Sequence, residues 1–298
     1  MSTTTASPPP MMVVDIGINL SKKMVQKRDW KAMIRRAIDA GVHRIVLTGT
    51  SIENSRQSLL LAHEWLETEG TPNLSVTVGV HPHSAKSWSK STLTQMKELL
   101  KDPLAVAVGE CGLDYFRNLS SQADQLFAFR EQVQLAHDLN YPIFVHSRDA
   151  HNDAVKILEE IRAASANRPK IVIHCFTGTK DEALECIQKG YYIGFTGTIC
   201  KKERGAHLRE LLPSLPLDRL MVETDTPYMG FKKHRRESEP ADCVDVAKKL
   251  SESIHRPLEE VCRATTQNAM EFFGLPAIPQ TPLPNREGSP SGQGAQPT

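Results

Sequence analysis

The sequence predicts a closed α/β barrel, a (β/α)8 or TIM barrel in a single domain, on three observations. Short apolar runs rich in Val and Ile alternate with longer amphipathic stretches along almost the whole chain. About eight such pairs follow one another without interruption, the number at which a parallel sheet closes on itself. No Gly-x-Gly-x-x-Gly follows the first run, and there is no phosphate-loop signature. The open doubly wound sheet, the alternative for any alternation of strands and helices, therefore has no nucleotide-binding turn to support it.

In chain order the runs are MMVVDIGI (11–18), RIVLTG (44–49), LSVTVGV (74–80), LAVAVGE (104–110), YPIFVH (141–146), KIVIHC (170–175), YYIGFTG (191–197) and RLMVETD (219–225). Most lack polar alternation, as expected of parallel strands covered on both faces. Between them lie helical patterns such as TLTQMKELLK, FAFREQVQLAHDLN, HNDAVKILEEIRAA and KDEALECIQKG. Gly41, Asn140 and Gly190 stand where helices should end, since Gly and Asn tolerate the left-handed conformation of a helix C-terminus.

The chain has 298 residues, of which 40% are hydrophobic and 24% charged, as in soluble globular proteins. Its formal net charge of +1 excludes binding of an anion by the field of the whole molecule, so an anion must meet a local patch. The six cysteines are scattered without a Cys-x-x-Cys pair. That argues against a zinc ribbon and a disulfide framework, and for reduced thiols in the cytoplasm or nucleus. No secretory signal and no apolar stretch long enough to span a membrane is present. Both ends read as tails: residues 1–10 and 276–298 are too poor in apolar residues to offset the entropy of ordering, which leaves a folded domain at 11–275.

Polar residues gather at the carboxyl ends of the runs. His81 and His83 follow the third, Glu110 ends the fourth, His146 ends the fifth, His174 lies near the end of the sixth, and Asp225 ends the eighth. Barrel enzymes place their catalytic groups at this rim, contributed by several strands. A lone His at a strand end is most often a hydrogen-bonded core residue, and a lone carboxylate there often caps the next helix. Four together at one end of four strands point instead to a divalent-metal site built from Glu110, His146, His174 and Asp225. Imidazole and carboxylate donors suit zinc, manganese or magnesium. His83, His151 and Asp114 read as supporting or surface residues, and Asp149 as a cap for the helix starting near His151.

Basic residues follow the same rim: Arg148 after the fifth run, Lys201, Lys202 and Arg204 after the seventh, and Lys232, Lys233, Arg235 and Arg236 after the eighth. Any one cluster would ordinarily be a solvated loop. Three around one site suggest contacts to phosphate or DNA, for which the Arg fork is well shaped.

The ordered motifs DIGINL, GVHPH, GECGLDY, FVHSRDAH, HCFTGT, YIGFTG and ETDTPY resemble the TatD-type metal-dependent deoxyribonucleases, from about Val13 to Phe273. The resemblance implies an amidohydrolase-like TIM barrel that hydrolyses DNA phosphodiesters with one or two divalent ions, magnesium foremost and manganese or zinc as alternatives. It implies a 3′-to-5′ exonuclease acting on single strands or 3′ ends, in DNA repair or fragmentation. It makes Glu110 a carboxylate able to bridge two metals, His146 and His174 imidazole ligands, and Asp225 a ligand that also orients the attacking water. His81 becomes a rim residue contacting metal-bound water or the scissile phosphate. Many relatives carry Asp-x-His-x-His after the first strand, where this chain has Gly17 and Asn19. The metal position beside the first strand is accordingly expected to be weak, and restoring both histidines to strengthen it. The alternative on the same barrel is a metal-dependent hydrolase of small-molecule amides or esters, which would need no basic rim.

Overall fold

The computed structural model describes residues 12–276, so the two sequence-predicted tails lie outside the described residues except for Pro276. Eight strands form one sheet in sequential order: β1 Val13–Ile18, β2 Val42–Leu47, β3 Leu74–Val78, β4 Ala105–Asp114, β5 Ile143–Arg148, β6 Ile171–Ile173, β7 Tyr192–Phe195 and β8 Leu220–Val222. Every neighbouring pair is parallel. Because β8 is only three residues long, the barrel closes through the chain beyond it. Ile18 bridges Thr226 in parallel, Asp225 N donates to Gly17 O at 2.9 Å, and Asn19 N donates to Thr226 O at 2.6 Å. This closure seats Asp225 beside the end of β1.

Around the sheet run α1 Lys22–Lys27, α2 Trp30–Ala40, α3 Ile52–Glu69, α4 Lys90–Leu99, α5 Gln122–Leu139, α6 His151–Ala164, α7 Lys180–Gln188, α8 Ala206–Leu211, α9 Cys243–Ile254 and α10 Leu258–Phe273. The period-two geometry of the strands divides their apolar side chains between two cores. Val14, Ile16, Val46, Ala107, Phe144, Val172, Tyr192 and Met221 form an inner set, to which α10 adds Ala269, Phe272 and Phe273. The larger outer core packs strand residues such as Val13, Ile45 and Val145 against the helices. Phe144 joins the inner core to the site, with its ring 6.4 Å from Phe273 and stacked 4.3 Å from His174.

Gly41 and Asn140 are left-handed caps of α2 and α5, as expected, and Gly190 turns the chain one residue beyond the Lys189 cap of α7. Three local expectations change. Helix α5 begins five residues before the apolar pattern at Phe127, because the Ser121 side chain accepts from Asp124 N. Asp149 does not cap α6: the N-cap is Ala150, without a side-chain hydrogen bond, and Asp149 itself takes a positive φ of 52°. Glu110 does not end its strand, since β4 runs on to Asp114 across a register shift between Val108 and Cys111.

Candidate metal centre

The irregularity in β4 sets the geometry of the centre. Such a bulge re-aims a side chain relative to its neighbours, and here Glu110 is drawn aside by its backbone N–H donating to Gly49 O at 2.7 Å. Two residues on, Gly112 has φ 142°, and a side chain there would run into the His146 carbonyl. Glycine thus permits the close approach of β4 and β5 that brings Glu110 and His146 together.

Glu110 is 4% exposed, and one of its oxygens, Oε1, is the focus of three imidazoles. His174 Nε2 lies at 2.8 Å, His146 Nδ1 at 3.0 Å and His81 Nε2 at 3.3 Å. Ligand atoms of His81, Glu110 and His146 all fall within 4.8 Å of one another, a spacing able to hold a metal ion. The other nitrogen of His146, Nε2, is buried without a hydrogen-bond partner of good geometry, although Asp114 Oδ2 stands 3.4 Å away. An orphaned imidazole nitrogen beside two further imidazoles and a buried carboxylate is the chemistry of a divalent-cation site, and the residues fit one.

Around this focus a second ring of contacts fixes these side chains. Glu223, fully buried, lies 3.3 Å from His174 Nδ1 and accepts from Cys175 N at 2.5 Å. Asp114 accepts from Arg117 N at 2.7 Å and meets His83 Nε2 at 2.7 Å. Asn19 Nδ2 donates to Asp225 Oδ1 at 2.9 Å. Carboxylates that hold the remote nitrogen of a ligand imidazole set its tautomer and orientation. A cavity of about 410 Å³ opens over the centre, bordered by Glu110, His146, His174, Asp225, Arg117 and Arg148.

The electrostatics follow from these contacts. Burial opposes ionisation of Glu110, yet His81, His146 and His174 hold its carboxyl well below the usual range. Burial likewise disfavours a charged His174, but Glu110 and Glu223 raise it well above its ordinary value. His146 is raised by Asp114 and Glu110 against burial, whereas burial lowers His81 despite Glu110. Burial pushes the Asp225 carboxyl up to about 7, with Glu110 and Glu223 adding to the effect and His174 opposing it.

A pH dependence of stability follows. Above about pH 6.5 the unfolded histidines are neutral, so His43, His81 and His137, lowered in the fold, no longer contribute. His146, His174 and Asp225 are raised in the fold and so give up their protons at higher pH than the same groups in the unfolded chain. Stability in EDTA should therefore fall from about pH 7 to pH 8.5, and a divalent cation, which displaces those protons, should stabilise more at the upper end. Calorimetric Tm values across that interval, with and without manganese, check this; a Tm in EDTA that rises would contradict it.

Of the sequence-predicted site residues, Glu110, His146, His174, Asp225 and His81 all border the one cavity. His81 reaches further inward than the rim position expected of it, into the group that can hold the ion. Glu223 is missing from the expected set, although it lies two residues beyond Met221, the inner-core residue of β8, where the alternation of an extended chain turns it inward. Gly17 and Asn19 have work other than the missing histidines suggested. A Cβ on Gly17 would lie 2.6 Å from Glu223 Oε2 and 3.2 Å from Phe144 Cζ, so glycine makes room for the Glu223 carboxylate. The amide of Asn19 is spent on Asp225.

The basic residues separate. Arg148 borders the cavity, as does Arg117, which the sequence pattern did not single out. Lys232 pairs with Asp245 at 2.5 Å, and Arg235 Nη2 donates to both oxygens of Asp242, each at 2.7 Å. Lys202, Arg204, Lys233 and Arg236 are exposed, while Lys201 is half-buried with its ammonium lowered by burial.

The family model and the curated relatives agree on one family. The model of the family TatD related DNase matches residues 14–274. The protein named 3′-5′ ssDNA/RNA exonuclease TatD from Escherichia coli is 37% identical over 266 residues, covering 88% of this chain and 98% of that one. Its namesake from Edwardsiella piscicida is 38% identical over 269 residues, covering 88% and 100%. Among solved structures, a hydrolase TatD family protein from Entamoeba histolytica superposes with a TM-score of 0.79 at 25% identity, covering 88% of this chain and 98% of that one. A TatD homologue from Escherichia coli gives 0.76 at 29% identity, covering 89% and 98%. With the family model spanning nearly all the described residues and these relatives matched almost end to end, the chain belongs to the TatD related DNase family.

Proposed function

We propose that this chain is a divalent-metal-dependent deoxyribonuclease that removes nucleotides from the 3′ end of single-stranded DNA, an activity suited to repair or to clearing fragmented strands. The observation that carries the reading is the meeting of three imidazoles on one buried Glu110 oxygen beneath an open cavity. The relatives named 3′-5′ ssDNA/RNA exonuclease supply the substrate class and polarity. Six free cysteines suit a reducing compartment, and among the described residues no helix is long and apolar enough to cross a membrane.

Glu110, His146 and His81 would hold the ion, with His174 and Asp225 completing its surroundings. Magnesium or manganese is the proposed ion, and the imidazole-rich donor set also admits zinc. When bound, it would supply Lewis acidity toward a phosphoryl oxygen and toward the attacking water. The chain's own groups do the rest. Asp225, at the cavity wall and held by Asn19, is placed to take a proton from water and return it to the leaving 3′ oxygen. Glu223 keeps the imidazole of His174 turned toward Glu110, and Asp114 lies against the far side of the His146 ring. Arg148 and Arg117 offer forked donors to phosphate at the cavity edge.

The test is incubation of a single strand labelled at either end with magnesium, manganese or EDTA. The 3′ label should be released first as a mononucleotide and EDTA should stop it; a strand left intact in both metals would sink the reading. The outer loops give a separate expectation. Lys232 and Arg235 are engaged with acidic partners, so they contribute less to phosphate binding than the exposed Lys233 and Arg236. Replacing Lys233 and Arg236 by Gln should lower the slope of log affinity against log salt by about 0.7 for each phosphate that no longer meets a cation. An unchanged slope in a salt titration of binding would return that loop to plain solvation.

A further inference from the structure

Beside the cavity the chain displays an aromatic ring that the core does not use. Phe116 is 62% exposed, in the turn that follows β4. The turn is tied down at several points, so the exposure is not that of a loose loop. Asp114 Oδ1 accepts from Arg117 N at 2.7 Å, Gln125 Nε2 donates to Asn118 Oδ1 at 3.3 Å, and Tyr115 OH donates to Asp153 at 2.7 Å. Arg148 stacks on the Phe116 ring, its guanidinium carbon 4.2 Å from the centroid, and itself borders the cavity over Glu110 and His146. Arg148 lies two residues beyond His146 on β5.

A fixed, solvent-facing ring backed by a guanidinium at the edge of a phosphodiesterase cavity has a specific chemical counterpart. Proteins that track single strands combine cations for the phosphates with aromatic faces for the bases. Arg148 can serve both, lending charge to phosphate and polarising the ring beneath it. A base held in a duplex is stacked and paired and cannot lie on such a face without being unstacked. We propose that Phe116, backed by Arg148, is a stacking platform for the unpaired base adjoining the scissile phosphodiester, and thereby selects single-stranded ends. The platform rests on the nuclease reading given above, and the experiment below separates the two.

Two single strands are compared, one carrying 2-aminopurine in its 3′-terminal nucleotide and one with that nucleotide abasic. Release of the terminal nucleotide is followed with magnesium for the parent protein and for Phe116→Ala and Phe116→Trp. Stacking of one base on an aromatic side chain corresponds to about a tenfold effect or more. Phe116→Ala should lower kcat/KM on the base-bearing strand by about that factor and leave the abasic strand at the parent rate. Phe116→Trp, which keeps an aromatic face, should stay near the parent on both. Because Phe116 is exposed, both variants should keep the parent Tm, and matching Tm values exclude loss of folding as the cause. Parent-like rates for Phe116→Ala on the base-bearing strand, or equal slowing on both strands, would overturn the platform while leaving the nuclease standing. Failure of the parent to release either terminal nucleotide would overturn both.

Discussion

Glu110→Gln should lower the hydrolysis of a 3′-labelled single strand by about a thousandfold while leaving the far-UV circular dichroism of the parent. The two side chains have nearly the same volume, so the packing around this 4%-exposed residue is kept. The electrostatics are not. Oε1 receives His81, His146 and His174 together, and that charge holds His174 well above its ordinary pKa. An amide supplies no charge for a cation and turns one oxygen into a donor facing ring nitrogens. Manganese titrated calorimetrically into the variant should give no tight binding. Asp114→Asn acts one contact further out, on the orientation of His146 and His83, and should cost about 10- to 100-fold in metal affinity or activity. Near-parent activity of Glu110→Gln in saturating metal would remove Glu110 from the centre.

The difference between those two residues also marks where sequence reading ends. The barrel was legible because most strands are Val/Ile-rich runs separated by amphipathic helical stretches, both local properties of the chain. The convergence of Glu110, His146, His174 and Asp225 was legible because a parallel barrel puts every strand's carboxyl end on one rim. What was not legible depends on which side chains meet across strands. Asp114 reads from the sequence as a supporting or surface residue, but its place on β4 is hidden there, because the irregularity at Val108–Cys111 lets the strand continue past Glu110. The Lys and Arg runs looked alike in sequence, yet Asp242 and Asp245, downstream of the loop, engage Arg235 and Lys232. Phe116 carried no periodic signal at all. Only its exposure and the Arg148 guanidinium on its ring distinguish it from a core aromatic.

Gly17 is the position where the two kinds of reading give opposite expectations for one experiment. From the missing histidines alone, the Gly17→His, Asn19→His double variant would strengthen the metal position beside β1. The packing reverses the sign. Any Cβ at Gly17 falls 2.6 Å from Glu223 Oε2 and 3.2 Å from Phe144 Cζ, inside a wall already filled. Displacing Glu223 would free His174 Nδ1 and the Cys175 N–H from their shared acceptor. Replacing Asn19 would take away the amide that holds Asp225 Oδ1. The double variant should therefore bind manganese more weakly than the parent and lose activity. Gly17→Ala alone should cost about 1–3 kcal/mol of stability through overpacking. A double-mutant cycle isolates the cause, because Glu223→Ala removes the carboxylate that the new methyl would strike. In that background Gly17→Ala should lose most of its cost, a coupling of about 1 kcal/mol or more between residues in contact. Denaturant unfolding of the four proteins in EDTA measures it. Additive costs, or tighter metal binding by the double histidine variant, would show that the space beside β1 is not held by Glu223.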